Sequence, residues 1–164
     1  MKIIKLVDNL YIYHLVRNRV PPEGDSYITS LVGGSTEESQ LAIILGSAEF
    51  YTVAQTWPGT TGPTADERFI QALYLKFLGR ISSDQEEIDW IALIPSIGRT
   101  GVSQSILEAL ERRKYFVATY YVLYLARAGS QPEIDGWAGT TLKEHEIRYK
   151  FLASKEYYDR VITL

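Results

Sequence analysis

The sequence predicts an all-α fold, a compact bundle of about eight or nine short helices built from three degenerate repeats. Apolar residues recur at spacings of three and four along most of the chain, and no stretch alternates polar and apolar residues as a strand would. Motifs that start helices follow one another at short intervals, and four marker positions recur three times in register. Such a pattern is typical of helical units that bury their apolar faces against one another.

The repeat is marked by a tyrosine, an arginine six residues later, a glutamate six residues after the arginine, and a large aromatic residue ten after the arginine. The three sets are Tyr11, Arg17, Glu23 and Tyr27; Tyr74, Arg80, Glu86 and Trp90; and Tyr121, Arg127, Glu133 and Trp137. We expect the tyrosines to occupy equivalent positions around a common interior. We also expect at least two of the three arginine–glutamate pairs to lie within hydrogen-bonding reach.

The helices predicted in chain order are bounded by prolines, glycines and capping motifs. They cover 3–16, 22–31, 36–47, 65–78, 83–93, 102–113, 115–125, a segment opening at Ser130, and 142–152, with a turn or short helix through 157–161. Pro22 is suited to open the second helix, Pro95 to end the fifth, and Gly129 to cap the seventh.

Five helix starts carry a serine or threonine followed three residues later by a glutamate. This is the capping-box pattern, in which the hydroxyl accepts from a backbone amide while the carboxylate reaches back to the cap amide. The five pairs are Ser35–Glu38, Thr64–Glu67, Ser83–Glu86, Ser130–Glu133 and Thr141–Glu144.

We expect a single domain over residues 1–164, with repeats over about 3–54, 65–115 and 116–162. The ends of the repeats also match, and each is predicted to stop at an aromatic residue. The matched ends are Leu45 to Phe50, Leu110 to Tyr115 and Leu152 to Tyr157. Prolines and glycines at 55–64 predict a loop between the first two repeats, the best candidate for a mobile segment.

Charge and composition restrict the partners. A net charge of -3 provides no basic field for phosphates, so neither nucleic acid nor an anionic membrane is expected as a partner. No run of about 18 apolar residues predicts a membrane span, and Asp8 and His14 interrupt the apolar N-terminus, which we interpret as part of the fold rather than as a signal peptide. The absence of cysteine excludes disulfides and thiolate metal sites but leaves the compartment unknown.

No residue is predicted to be catalytic, to bind a cofactor or to hold a metal. His14 and His145 are the only histidines and have no second ligand at a suitable spacing. Adjacent carboxylates such as Glu86 and Glu87 face different directions on a helix, so they cannot act as an acid–base pair. Phosphate-binding loops and nucleophile motifs are also missing from the sequence. We therefore expect a protein that is not an enzyme.

Two groups of residues have a binding interpretation beside a structural one. Tyr74 and Trp90 could form a ligand-binding aromatic shelf, although core packing is what helical spacing predicts. The basic run Arg112, Arg113 and Lys114 is expected to favour a helix C-terminus, with docking of a partner as the alternative.

The spacing of these motifs resembles a bacterial family catalogued as domain of unknown function 4214. The resemblance is carried by Leu73-Tyr74, by Leu78-Gly79-Arg80, by Trp90 and by the run from Gly46 to Phe50, and together the three copies cover nearly the whole chain. The first repeat departs from the pattern, since it lacks a glycine before Arg17. A more distant likeness is to phycobilisome linker domains. The resemblance implies a structural or binding role, without catalytic residues, in large bacterial surface or secreted proteins.

The sequence thus predicts a non-catalytic protein–protein interaction or assembly module, a subunit or linker of a larger bacterial or viral structure. Abundant tyrosine, with 12 in the chain, suits interfaces as well as cores. The alternative is a glycan-binding module of a secreted or cell-surface protein, because tyrosine and tryptophan faces stack on sugars. A protein partner is expected, homo-oligomerisation stays open, and the sequence does not identify the partner.

Overall fold

The computed structural model describes residues 2–162, which form ten α-helices and no strand, so the all-α prediction is confirmed. The helices are α1 Lys2–Leu10, continued by a π-helical turn Tyr11–Leu15, α2 Asp25–Val32, α3 Glu37–Leu45, α4 Ala48–Ala54, α5 Ala65–Phe77, α6 Asp84–Glu108, α7 Leu110–Leu125, α8 Gln131–Ala138, α9 Glu144–Leu152 and α10 Lys155–Ile162. No helix in this described range is both long enough and apolar enough to cross a bilayer.

The chain divides into two compact units, residues 1–107 and 108–164, each with its own cluster of buried side chains. In the first unit α5 is the most enclosed helix, because its apolar residues lie on every side rather than on one stripe. Seven of its thirteen residues are buried: Phe69, Ile70, Gln71, Ala72, Leu73, Tyr74 and Phe77. The prediction of one domain over the whole chain stays a prediction.

The second unit is built on α7, against which α8, α9 and α10 all pack. Its buried cluster combines one face of α7 with two residues of α9: Phe116, Val117, Tyr120, Tyr121, Ile147 and Phe151. The aromatic rings meet edge to face or tilted, as Tyr121 and Phe151 do at 4.9 Å between centroids. One face of α7 is therefore committed to this core.

Each repeat has four helices rather than the predicted three. The segments interpreted as aromatic stops begin a further helix, since Ser47 Oγ accepts from the amide of Phe50 at 3.1 Å and Ser154 Oγ accepts from that of Tyr157 at 3.1 Å. These serines start α4 and α10, which accounts for the higher helix count.

The turn at the end of the second repeat lies five residues earlier than predicted. α6 ends at Glu108, the chain turns at Ala109, and α7 starts at Leu110 rather than at Tyr115. Ala109 thus stands where Ser47 and Ser154 stand in the other repeats, and no side chain caps this turn. The turn could not be predicted from the repeat pattern because the matching cap residue is absent. The fourth helix of the second repeat continues directly as the first helix of the third.

Three of the five predicted capping boxes form, and at the other two helices a different residue occupies the cap position. The carboxylates of Glu67, Glu86 and Glu133 accept from the backbone amides of Thr64, Ser83 and Ser130. At α3 the cap is Thr36 instead of Ser35, and Thr36 Oγ1 accepts from the amide of Ser39 at 3.1 Å.

At α9 the cap position is Lys143 instead of Thr141. The Lys143 amide donates to Glu146 at 2.7 Å, while Glu144 is occupied by the Tyr120 hydroxyl at 2.9 Å and by Arg112 at 2.8 Å. A tertiary contact therefore takes the carboxylate that the sequence pattern assigned to a cap.

Three further predicted helix boundaries were wrong. α2 begins at Asp25, after Gly24 with φ 73°, and not at Pro22. Pro95 does not end α6, which continues to Gly98, where φ 68° and ψ 170° break the helix. Proline removes one amide from the helix, whereas glycine at positive φ turns the chain itself. α7 ends at Ala126 with φ 54°, and Gly129 instead lies close to the Tyr121 ring.

Hydrogen bonds to α5 hold residues 55–64, although their composition predicted mobility. Gln71 Oε1 accepts from the amides of Thr61 at 2.8 Å and Gly62 at 2.9 Å, and Arg68 donates to the Gly62 carbonyl at 2.6 Å. Trp57 packs against the core, and the Lys76 ammonium lies 4.0 Å from its ring centroid.

Candidate functional site

The marker residues meet in three equivalent clusters, one in each repeat. The residue just before each marker arginine has a positive φ, of 58° at Val16, 68° at Gly79 and 54° at Ala126. This turn ends the first helix and folds the arginine back over the marker tyrosine. The distances from guanidinium carbon to ring centroid are 5.1 Å for Arg17 and Tyr11, 4.9 Å for Arg80 and Tyr74, and 4.7 Å for Arg127 and Tyr121.

All three predicted arginine–glutamate pairs form, so that expectation is confirmed. The closest nitrogen–oxygen distances are 2.7 Å for Arg17–Glu23, 2.6 Å for Arg80–Glu86 and 2.8 Å for Arg127–Glu133. Each pair also uses a second guanidinium nitrogen, which gives the bidentate geometry that makes arginine–carboxylate contacts strong. In each repeat the pair connects the end of the first helix to the start of the second.

Two of these arginines also bind a second carboxylate that the spacing of the markers did not predict. Arg17 also binds Glu49, and Arg127 also binds Glu156, in each case through two nitrogens. Both glutamates lie two residues after the serine that caps the fourth helix of their repeat. The recurring Ser-x-Glu motif was the signal, but its distance from the arginine, 32 and 29 residues, hid the pairing.

The last marker position packs against the marker tyrosine in every repeat. Trp90 Nε1 donates to the Tyr74 hydroxyl at 2.7 Å, and Trp137 hydrogen-bonds to Tyr121. In the first repeat the Tyr11 and Tyr27 rings lie 6.5 Å apart. The marker tyrosines are buried to similar extents, with 6%, 4% and 4% of their surface exposed in chain order. Core packing, rather than an open aromatic shelf, describes Tyr74 and Trp90.

The marker arginines hold two of the marker carboxylates in their charged form. Hydrogen bonds from Arg80 and Arg127 lower the pKa values of Glu86 and Glu133 to about 2. Burial raises the pKa values of Tyr11 and Tyr121 above the ordinary tyrosine value. At neutral pH, Glu86 and Glu133 therefore stay ionised and Tyr11 and Tyr121 stay neutral, which suits their contacts between helices.

Internal contacts also occupy the basic run. Arg112 donates to Glu144, and Lys114 lies 2.7 Å from Asp135. Arg113 donates to three carbonyl oxygens at and just after the end of α8, those of Ala138, Thr140 and Leu142. The expected position at a helix C-terminus was wrong, because the basic run lies in the first turns of α7. Only Arg113 reaches a helix C-terminus, that of α8, and all three charges are used within the second unit.

A small cavity lies beside the third marker cluster and has a volume of about 140 Å³. Aromatic and apolar side chains line one part of it and charged side chains another. The lining residues are Tyr121, Leu125, Arg127, Glu133, Trp137, Lys150, Phe151, Ser154 and Glu156. It is a candidate binding site because apolar walls and convergent polar groups meet there.

An apolar seam runs along the face of α7 that does not contribute to the core. The seam consists of Tyr115, Ala118, Thr119, Val122 and Leu123, which line a shallow groove. Of their side-chain surfaces, 41% of Tyr115, 62% of Val122 and 59% of Leu123 are exposed. The spacing of three and four residues is that of a helix face that packs against another helix.

Among residues 2–162, no three histidine, aspartate or glutamate side chains are grouped so as to hold a metal ion. Comparisons with protein-family models, with curated proteins and with solved structures find no match to this chain. The resemblance to the domain of unknown function 4214 therefore stays an expectation from the sequence.

Proposed function

We propose that this chain is a non-catalytic protein–protein interaction module, a subunit or linker of a larger bacterial or viral assembly. The observation that supports the proposal is the exposed seam on α7. The marker residues are used to connect helices within each repeat, so binding falls to surfaces such as this one.

The seam fits the apolar face of a helix from a partner protein. Its five residues extend over about 12 Å, or slightly more than two helical turns, at a rise of about 1.5 Å per residue. None of the five is charged, so the complementary surface is apolar rather than acidic or basic. The small residues Ala118 and Thr119 lie between the larger ones and allow close approach of a second helix.

Site-directed crosslinking tests this assignment. The chain has no cysteine, so a benzophenone label on Val122→Cys occupies one defined position in the seam. Val32→Cys is the matched control, because Val32 is 70% exposed at the end of α2 and lies outside the seam. After illumination in an extract of the source cells, we expect an adduct from position 122 only, and mass spectrometry should locate the crosslink on an apolar helix face.

A second substitution and a mass measurement complete the test. Leu123→Glu places a charge in the seam and should abolish the adduct at 122 without changing the circular dichroism spectrum. If the adduct contains a second copy of this chain and light scattering gives the mass of a dimer, the seam binds another copy of the chain and not a different protein. A monomer that gives no adduct at position 122 would contradict the proposal.

The third-repeat cavity favours a second candidate function, recognition of a sugar. Trp137 and a partly exposed glutamate, Glu156, line the same cavity, and this pairing of groups is what a sugar ring requires.

A further inference from the structure

We infer that the third-repeat cavity binds one neutral six-membered sugar ring. This inference rests on the second candidate function, sugar recognition, and is independent of the α7 seam, since the seam and the cavity share no residue. It rests on the size of the cavity, on which of its polar groups are already used, on its charge, and on one residue that distinguishes this repeat.

The volume of the cavity suits a single ring. A cavity of about 150 Å³ accommodates benzene, and this one has about 140 Å³. The six-membered ring of a pyranose is about as large as benzene, and the hydroxyl groups that make the whole sugar larger can extend toward solvent on the open side of the cavity. The ligand that fits is thus a monosaccharide unit or the terminal residue of a glycan.

Hydrogen bonding within the cluster leaves Arg127 without a free donor for an anion. A guanidinium group has five N–H donors. All five of Arg127 are used: Nε on Glu156, Nη1 on the Ala128 carbonyl and Glu133, and Nη2 on Glu133 and Glu156. A phosphate or carboxylate in this cavity would find the guanidinium already saturated.

The groups that stay accessible match the two sides of a sugar ring. Glu156 is 47% exposed, and each of its oxygens accepts only one bond from Arg127, so lone pairs are left for hydroxyl donors. Lys150 adds an exposed ammonium donor at the same cavity. Trp137 offers an aromatic surface to the apolar C–H face of the ring. Two basic and two acidic side chains line the cavity, so a neutral ligand suits it.

One lining residue is particular to the third repeat. Aligning Ser154 with Ser47 and with Ala109 places Lys150 opposite Ile43 in the first repeat and Ser105 in the second. The common fold of the repeats therefore does not require a lysine at this position. A donor that the architecture does not need, placed at the cavity, points to a ligand.

Ligand-observed NMR on the full chain tests the inference. The probes are the methyl glycosides of glucose, galactose, mannose and N-acetylglucosamine at about 20 mM, since single-ring ligands bind in the millimolar range. We expect saturation transfer to at least one probe, with amide shifts confined to the residues around the cavity. No transfer to any of the four would overturn the inference.

Two variants of cavity residues, Glu156→Gln and Lys150→Met, and one control, Glu49→Gln, locate the binding. Glu156→Gln leaves Arg127 bound to Glu133 and should weaken the sugar about tenfold, the effect of losing one charged hydrogen bond. Glu49→Gln makes the same change at the matching position of the first repeat and should leave binding unchanged. Lys150→Met alters an exposed side chain and should also weaken binding. Equal effects of the two glutamate variants, or no effect of Glu156→Gln and Lys150→Met, would overturn the site.

Discussion

Left-handed backbone before the marker arginine is the residue-level feature that all three clusters share. Glycine adopts such a conformation without steric cost, but only the second repeat has glycine there, Gly79. Val16 and Ala126 adopt it with a Cβ that lies too close to the following carbonyl, at a cost of about 1–2 kcal/mol. Two of the three turns are therefore maintained by the contacts of the arginine that follows.

Val16→Gly should stabilise the protein by about 0.5–1 kcal/mol, because relief of the left-handed strain exceeds the added freedom of glycine in the unfolded chain. Val16 is 69% exposed, so little packing is lost. Urea unfolding measures the change. Val20→Gly, at an equally exposed valine without a positive φ, is the control and should destabilise slightly. A loss of stability in Val16→Gly would mean that the turn is not strained.

His14 makes stability depend on pH. Its ring stacks on Phe77 at 5.7 Å, and its Nδ1 is buried without a hydrogen-bond partner. Burial, and then the charge of Lys76, lower the pKa of His14 from 6.5 to about 3. Protonation of His14 is thus disfavoured in the folded state, so between pH 6.5 and 3 the unfolded state binds more protons. The contribution of His14 to the free energy of unfolding is therefore fully present above pH 6.5 and is lost as the pH falls from there toward 3.

We expect the free energy of unfolding to fall by about 1–2 kcal/mol between pH 6.5 and 5.0, a range in which most carboxylates stay ionised. In His14→Gln the free energy of unfolding should not change over this pH range. It should still fall at lower pH, where glutamates such as Glu86 are protonated and lose their ion pairs with arginine. Ile12→Gln, an exposed neighbour, is the control. An unchanged slope in His14→Gln would show that the histidine is not responsible.

At the scale of the element, two glycines of the second unit have opposite roles. A Cβ on Gly129 would lie 2.5 Å from the ring of Tyr121, so this glycine lets the loop after α7 approach the marker tyrosine. Gly136 lies inside α8, and a Cβ there meets nothing within 4 Å. The first glycine is required by packing, whereas the second only weakens its helix.

Gly129→Ala should destabilise the protein by about 1–3 kcal/mol, because the added methyl group must displace a buried ring. Gly136→Ala is the same chemical change and should stabilise it by about 0.5–1 kcal/mol through helix propensity. Thermal unfolding of the two variants beside the parent chain measures both effects. Two changes of the same sign would show that the approach of residue 129 to Tyr121 is not what decides the outcome.

α7 shows how far an element can be read from its sequence. Its helical periodicity was clear, but its start was placed at Tyr115 because no cap residue marks the turn at Ala109. Its inner face forms the core of the second unit, and its outer face is the exposed seam. Both faces are apolar, so periodicity alone could not tell which one is buried.

At the scale of the whole molecule, the two units have separate buried clusters, and the chain passes between them at the turn before α7. The prediction of a single domain has a direct test. Trp57 and Trp90 belong to the first unit and Trp137 to the second, so fluorinated tryptophan reports on each unit in one spectrum.

Val117→Ala leaves a cavity in the core of the second unit and should lower its free energy of unfolding by about 1–3 kcal/mol, because Val117 is fully buried. If the chain unfolds as one domain, all three tryptophan signals should be lost at the same, lower urea concentration. Loss of the Trp137 signal before the other two would divide the chain into two independently folding domains.

Interactions close in sequence were determined by the sequence itself. This holds for the helices, for three of the capping boxes and for all three arginine–glutamate pairs. In each case the interacting residues are six positions apart or fewer, and helix geometry and turn chemistry fix the distance between them. Only the tertiary structure brought Glu49 to Arg17 and Glu156 to Arg127, left one face of α7 exposed, and formed the cavity beside Trp137. Those features depend on which surfaces are buried together, and burial is decided between segments far apart in the chain.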